Sequence, residues 1–270
     1  MKPASSLERL LSVLQLFTED RLEWTPEAMM ERLGYARPTL YRYLKTLSEA
    51  GLLASHPHAG YTLGPKIVEM DYLLRLSDPL ILATHPVLED LAVTFPGTAL
   101  LVRWYGDRML CVDAVNHQPE PLSSYPRGRP MPMGRGAIAR AILAFLPKPQ
   151  ALSIIETHLP EWQALGLGDT AETVHGAMRQ VRRDGYSMAF GEVTPGVVGT
   201  AAPVFDQARS PVGALCLTLR ETDTDADIRA RLADRVLDGA ADISARLAMR
   251  TVSGDAEIAK WSNLTLRDNL

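Results

Sequence analysis

The stretch "ARPTLYRYLKTLSEAGLL", residues 36–53, reads as a helix with a proline near its start. The first backbone N–H groups of a helix have no partner inside it, so Pro38 starts this helix rather than breaking it. Leu40, Leu44 and Leu47 recur at helical spacing and predict a buried stripe. Gly51 then supplies the C-terminal stop. The stretch therefore predicts a short amphipathic helix with one buried face.

The opposite face of this helix has no acidic residue. Between residues 36 and 48 the only charges are Arg37, Arg42 and Lys45. The whole chain has a net charge of -4, and residues 1–64 hold seven basic and seven acidic residues, so a polyanion would have to meet this one face. Such a face is suited to the DNA major groove, and we call this element the reading helix. The alternative is an ordinary solvated helix of an interaction domain.

The elements around the reading helix complete a recognisable module. Ser5 and Glu8 have the spacing of a capping box before an amphipathic helix. Thr25 followed by Pro26 starts a second, short helix, and Gly34 ends it. Helix starts and stops in this order predict three helices before residue 51.

The segment "LLASHPHAGYTLG", residues 52–64, predicts two short strands joined by a turn. Three helices and a β-hairpin form a winged helix-turn-helix, and we expect this DNA-binding domain to span residues 1–64. The predicted DNA contacts are Thr25, Arg37, Pro38, Thr39, Tyr41, Arg42, Lys45 and His58.

A linker helix is predicted in residues 65–78, "PKIVEMDYLLRLSD". Ile67, Met70, Leu73 and Leu74 lie on one face of it. A near-neutral DNA-binding domain holds DNA weakly by itself, so affinity should come from linked copies. We therefore expect pairing through this helix, giving a homodimer or a dimer of dimers on a double-stranded DNA operator with two-fold symmetry.

Residues 79–250 predict a second domain of the α+β class, with helices flanking an antiparallel sheet. Helices are expected at 80–94, 134–146, 149–158, 170–184 and 224–249, and strands at 98–104, 108–115, 185–193, 196–205 and 212–220. Residues 251–270 show no clear period and are predicted as a C-terminal tail to which no role is assigned.

Composition and cysteine use suggest the compartment. The 270 residues are 46% hydrophobic, which is enough for two packed cores, and no run is long and apolar enough for a membrane helix. Cys111 and Cys216 lie in apolar runs, which favours buried, reduced thiols over a disulfide. We therefore expect a cytoplasmic protein without a membrane partner.

Several segments resemble the IclR family of bacterial transcriptional regulators. "SLERLLSVLQLF" and the continuous run from "TPEAMMERLGYARPTLYRYLK" to "GYTLG" are similar to its DNA-binding domain. "GRPMPMGRGAIARAILA" and "VRRDGYSMAFGEVTPGVVGTAAPVFD" are similar to its effector-binding domain. The resemblance implies a GAF-like sheet that cups a small molecule. In three places the chain departs from the family pattern: Ala139 replaces a glycine, Arg140 replaces a lysine, and Gly199 replaces a side chain that bonds the ligand in some relatives.

The resemblance and the local chemistry together indicate the effector pocket. Arg135 lies between two glycines at a helix start, next to Met131, and is suited to a carboxylate; the alternative is a surface arginine in a loop. Cys216 and Thr218 share a strand face, where the threonine hydroxyl needs either a ligand or a neighbouring backbone group. The predicted effector contacts are Met133, Arg135, Gly136, Ala137, Ile138, Ala189, Phe190, Gly199, Cys216 and Thr218, and the predicted effector is a small carboxylic acid.

An enzyme is the rival class. The chain has no Gly-x-Ser-x-Gly, no Walker loop and no His-Glu-x-x-His, and its six histidines lack ligand spacing. We therefore predict a ligand-responsive transcriptional regulator without catalytic residues, cofactor or metal. The alternatives are a small-molecule-transforming enzyme, or a ligand-free dimerisation module, attached to the DNA-binding domain.

Overall fold

The structure is a computed structural model that describes residues 5–56 and 60–265, with side chains up to Met249. The chain divides into two compact units, one ending at Asp78 and the other beginning at Pro79. The segment predicted as the linker helix groups with the first unit. No helix among the described residues is long and apolar enough to cross a membrane.

The first unit has the predicted order of elements. It consists of α1 Ser6–Leu14, α2 Pro26–Leu33, α3 Arg37–Glu49, β1 Leu53–His56, β2 Gly60–Leu63 and α4 Pro65–Ser77. The capping box at Ser5 is present, and Thr25 caps α2 by accepting the N–H of Ala28 at 3.3 Å. The local start signals in the sequence therefore act as predicted.

The core of the first unit is built by the inward faces of its helices. Leu40, Leu44 and Leu47 of the reading helix, now α3, are buried as expected, together with Val13 and Met29. This core fixes the angle at which α3 presents its outer face. The winged helix-turn-helix is thus confirmed as the architecture of this part of the chain.

The wing is held to the helices by backbone hydrogen bonds. Strands β1 and β2 pair antiparallel, with Leu53 opposite Leu63. Trp24 and Tyr61 exchange two backbone hydrogen bonds, at 3.0 and 2.8 Å, which join the wing to the segment before α2. His58 lies outside the described residues, so its predicted role stays a prediction.

The second unit is built on a six-stranded antiparallel sheet, in the order β5-β4-β3-β8-β7-β6. The strands are β3 Thr98–Trp104, β4 Met109–Asn116, β5 Pro130–Met131, β6 Ser187–Phe190, β7 Val197–Phe205 and β8 Pro211–Arg220. Successive side chains of each strand face opposite sides, so the sheet has two separate apolar faces.

Each face of the sheet is covered by its own set of helices. α5 Pro79–Thr94 and α11 Ala226–Thr265 pack on one face, where Leu101, Leu217 and Val236 are buried. The other face is covered by α6 Gly136–Leu143, α7 Lys148–Thr157, α8 Leu159–Ala164, α9 Ala171–Ala177 and α10 Arg179–Asp184. The α+β prediction with an antiparallel sheet is therefore confirmed.

The structure differs from the sequence prediction in five elements. The helix expected at 170–184 is two helices that meet at Met178, and the strand expected at 185–193 is limited to β6. The short elements α8 and β5 were not predicted. The closing helix, expected to end at residue 249, continues to Thr265, so most of the predicted tail 251–270 extends α11.

Candidate functional site

The outer face of α3 presents three cations, of which only Lys45 has a carboxylate neighbour among the described residues. Arg37 lies over the ring of Tyr41 at 5.3 Å and Arg42 over that of Tyr43 at 5.4 Å, and within the described residues neither forms an ion pair. Lys45 lies 3.8 Å from Glu49, with both side chains largely exposed, and such a surface pair is worth less than about 1 kcal/mol. The face therefore keeps its positive charge available.

The remaining predicted DNA contacts lie at the starts of two helices. Pro38 and Thr39 are in the first turn of α3, where Pro38 is exposed and Thr39 half-buried. Thr25 is exposed at the start of α2, where its hydroxyl oxygen already caps the helix. Every predicted contact that the structure describes thus belongs to α3 or to the start of α2.

A cavity lies between the α6 side of the sheet and two loops. It contains about 500 Å³ of empty space, its opening to solvent included. Eight of the ten predicted effector contacts line it: Arg135, Gly136, Ala137, Ile138, Ala189, Gly199, Cys216 and Thr218. The sequence did not indicate the further lining residues Leu100, Ser123, Tyr125, Pro132, Glu192, Val193, Thr194 and Val197.

Two predicted contacts lie elsewhere. Phe190 follows Ala189 on β6 and therefore faces the opposite side of the sheet, where it is 43% exposed and lies 5.0 Å from the guanidinium of Arg229. Met133 packs against the hydrophobic core on the α6 side and does not line the cavity, whereas Met131 does. Both residues are corrections to the predicted set.

Cys216 and Thr218, the two residues of β8 that line the cavity, need no ligand to account for their burial. Thr218 donates its hydroxyl hydrogen to the carbonyl oxygen of Thr98 at 3.1 Å, which is the backbone partner considered as an alternative. Burial, reinforced by the nearby Cys111, raises the pKa of the Cys216 thiol to about 12. Cys216 is therefore a neutral, unreactive part of the cavity floor.

Glu192 is the main polar feature of the cavity wall. One carboxylate oxygen accepts the backbone N–H of Gly136, the first residue of α6, at 2.9 Å. The other oxygen forms an ion pair with Arg140, whose guanidinium also donates to the carbonyl oxygen of Met188 at 3.0 Å. Gly136 is required here because its φ is +89° and a Cβ would lie 2.6 Å from Val193.

Comparison with known proteins agrees with this two-unit architecture. The profile of the bacterial transcriptional regulator IclR C-terminal domain matches residues 75–245, and the profile of the IclR helix-turn-helix domain matches residues 6–57. The chain belongs to the IclR family. It is a DNA-binding transcriptional regulator rather than an enzyme, since its curated relatives are named as regulators.

Individual IclR relatives are similar over most of their length. The transcriptional regulator XynR of Escherichia coli is 26% identical over 225 residues, which cover 83% of this chain and 89% of XynR. An IclR regulator from Alicyclobacillus acidocaldarius is 22% identical with a TM-score of 0.70, covering 91% of this chain and 100% of its own. An IclR homologue from Microbacterium hydrocarbonoxydans, complexed with 4-hydroxybenzoate, is 19% identical with a TM-score of 0.72. The match covers 90% of this chain and 99% of the homologue.

The structure shows the surroundings of Arg140 and Gly199, two residues at which the sequence analysis noted a departure from the IclR pattern. Arg140, in place of a lysine, lies in the last turn of α6 and forms an ion pair with the Glu192 carboxylate. Gly199 leaves space in the cavity, because a Cβ built there would lie 3.9 Å from each of Ala137, Cys216 and Thr218, in ordinary contact. Gly199 thus leaves space in the cavity wall on β7, whereas Arg140 contacts Glu192 and does not itself line the cavity.

The two loops that border the cavity are joined to each other. The hydroxyl groups of Ser124 and Thr194 form a hydrogen bond of 2.9 Å. Tyr125, from the first loop, stacks with the guanidinium of Arg129 at 4.8 Å. Arg135 lies exposed at the cavity rim, and in the described part of the chain it forms no ion pair.

Proposed function

We propose that this regulator binds a small organic acid in the cavity and that binding changes its affinity for an operator. The observation that carries the proposal is Arg135, a cation without an ion-pair partner among the described residues, at the rim of a mainly apolar cavity. The same chain presents the basic face of α3, with Arg37, Arg42 and Lys45. An amphipathic ligand with one carboxylate suits such a cavity best.

The walls of the cavity limit the ligand class further. Leu100, Met131, Ile138 and Val197 provide apolar surface for an aromatic or short aliphatic body. Sugars and nucleotides would leave many hydrogen bonds unmade against these walls, which costs binding free energy. The 4-hydroxybenzoate bound by the Microbacterium homologue supports an aromatic acid as the first class to test.

The DNA contacts are proposed for the outer face of α3 in the major groove. Arg37 and Arg42 would contact base edges or phosphates, while Lys45 would replace its weak contact to Glu49 with a phosphate. Thr39 and Tyr41 would complete the contact from the same helix. Pro38, Thr25 and His58 would lie against the sugar-phosphate backbone of the DNA.

A second copy is the proposed partner of α4. This helix buries none of its residues, and Val68, Tyr72, Leu73 and Leu76 are each more than half exposed. Exposed apolar surface of this kind marks an interaction site. We propose that two α4 helices pair to give a homodimer, or a dimer of dimers, on an operator with two-fold symmetry.

Operator titration with a panel of aromatic and aliphatic acids tests the proposal. The effective acid should change DNA affinity severalfold or more, which requires a coupling free energy of about 1–3 kcal/mol. Calorimetry should show that Arg135→Ala weakens its binding by about tenfold, while Arg179→Ala, which removes an exposed arginine from α10, leaves it unchanged. Equal binding of the corresponding neutral amide would contradict the carboxylate assignment.

A further inference from the structure

The cavity already contains a carboxylate that belongs to the protein. Glu192 uses one oxygen for the N–H of Gly136 and the other for Arg140. The side chains of Arg140 and Glu192 are only 13% and 15% exposed, so this ion pair is largely shielded from solvent. Gly136 and Glu192 line the cavity and Arg140 does not, so a ligand carboxylate reaches these partners only by taking the place of Glu192.

We propose that Glu192 is an internal competitor of the effector, and that the effector carboxylate replaces it on Gly136 and Arg140. The inference rests on the proposed function and gives the carboxylate of the acid two further partners, Gly136 and Arg140, beside Arg135. Two carboxylates cannot share one N–H and one guanidinium in a shielded site, because like charges at short distance repel strongly. An acid that reaches this position must expel Glu192 toward solvent.

The expulsion of Glu192 would move the loop that carries it. Residues 191–196 begin and end with glycines in the left-handed region, Gly191 at φ 63° and Gly196 at φ 71°, which permits a change of loop conformation. Thr194 of this loop is hydrogen-bonded to Ser124 of the facing loop. The exchange of one carboxylate for another is thereby transmitted to both loops at the cavity mouth.

The same exchange makes the site selective for anions. A neutral ligand that displaced Glu192 would leave Arg140 as an unpaired, shielded cation, which costs free energy. A neutral ligand that left Glu192 in place would gain nothing from Gly136 or Arg140. Glu192 is thus a specificity-determining residue that favours acids over their neutral analogues.

Calorimetry with benzoate and benzamide on wild type and Glu192→Gln tests the inference. Glutamine keeps the shape of the side chain but lacks its charge, so benzoate should bind the variant about tenfold more tightly. Benzamide should bind both proteins alike. Asp90→Asn, which removes the carboxylate of the surface pair with Arg235, is the matched control and should leave benzoate binding unchanged.

Three outcomes would overturn the inference. Unchanged or weaker benzoate binding by Glu192→Gln would show that Glu192 supports the ligand or has only a structural role. An equal gain for benzoate and benzamide would indicate general loosening of the loops. Failure of benzoate to bind either protein also counts against the exchange, whereas the proposed function fails only if no acid of the panel changes operator binding.

A second measurement detects the exchange directly. The Gly136 amide is bonded to Glu192 at 2.9 Å, so its hydrogen exchange should be faster in Glu192→Gln without ligand. Benzoate should restore its protection in the variant. Circular dichroism verifies that the variant is folded, and an amide that exchanges equally in both proteins with and without benzoate would refute the proposed contact.

Discussion

Replacing Gly199 by valine should fill the effector cavity while the second unit stays folded. The Cβ would lie 3.9 Å from atoms of Ala137, Cys216 and Thr218, all three of which line the cavity. The added Cβ would therefore lie against the cavity lining in ordinary contact. A β-branched residue is also favourable at a position inside a strand such as β7.

The expected effect on stability is small because two contributions oppose each other. Three additional buried carbon atoms are worth about 2 kcal/mol, at about 0.8 kcal/mol each. Crowding in a packed interior typically costs about 1–3 kcal/mol. We therefore expect the free energy of unfolding to change by about 1 kcal/mol or less, which shifts the melting temperature by about 2–4 °C in a unit of this size.

The expected effect on ligand binding is large. Valine occupies space that the ligand body needs, so calorimetry with the effective acid should show a loss of about 100-fold or more. Gly199→Ala adds one carbon at contact distance and should lose much less. Operator binding without ligand should persist and no longer respond to the acid. Wild-type affinity for the acid in a folded Gly199→Val protein would refute the assignment of this cavity as the effector site.

Three further predictions concern other parts of the chain. Arg42→Ala should weaken specific operator binding by about 1–3 kcal/mol, whereas Lys45→Ala should weaken binding to all sequences and flatten its salt dependence, as measured by titration across salt concentrations. Leu73→Asp should convert the proposed dimer to a monomer of 29.6 kDa in light scattering. Burial raises the pKa of Cys111 to about 11 and that of Cys216 to about 12, so labelling of the folded protein with iodoacetamide should be slow. The free energy of unfolding should fall as the pH rises above about 9, because the thiols of the unfolded chain ionise there while those of the folded protein stay neutral.

The first unit could be predicted from sequence because its signals are local. A helix cap such as Thr25 depends on a hydrogen bond to a residue three positions away, and the stripe of Leu40, Leu44 and Leu47 depends only on helical period. Elements without such signals were missed. The helix beyond residue 249 continues through a segment with no apolar period, and β5 is only two residues long.

The lining of the cavity was predicted in part. Gly199 and Thr218 lie opposite each other on β7 and β8, a pairing that follows from strand order rather than from either strand alone. The error at Phe190 was avoidable, since it follows Ala189 and a strand cannot point both side chains into one cavity. The contact between Glu192 and Gly136 spans 56 positions and depends on how β6 and β7 lie beside α6, which the sequence does not state.

The pairing of Glu192 with Arg140 also explains how a small ligand could act as a switch. Shielding an ion pair from water costs nearly as much as the attraction returns, so the pair adds little net stability, whereas removing one partner alone is strongly unfavourable. Replacing the carboxylate of Glu192 by that of a ligand keeps Arg140 paired, and the exchange is therefore close to balanced. A balanced exchange leaves the apolar contacts of the ligand with Met131 and Ile138 to decide the outcome, so that a modest affinity is enough to shift the population of loop conformations.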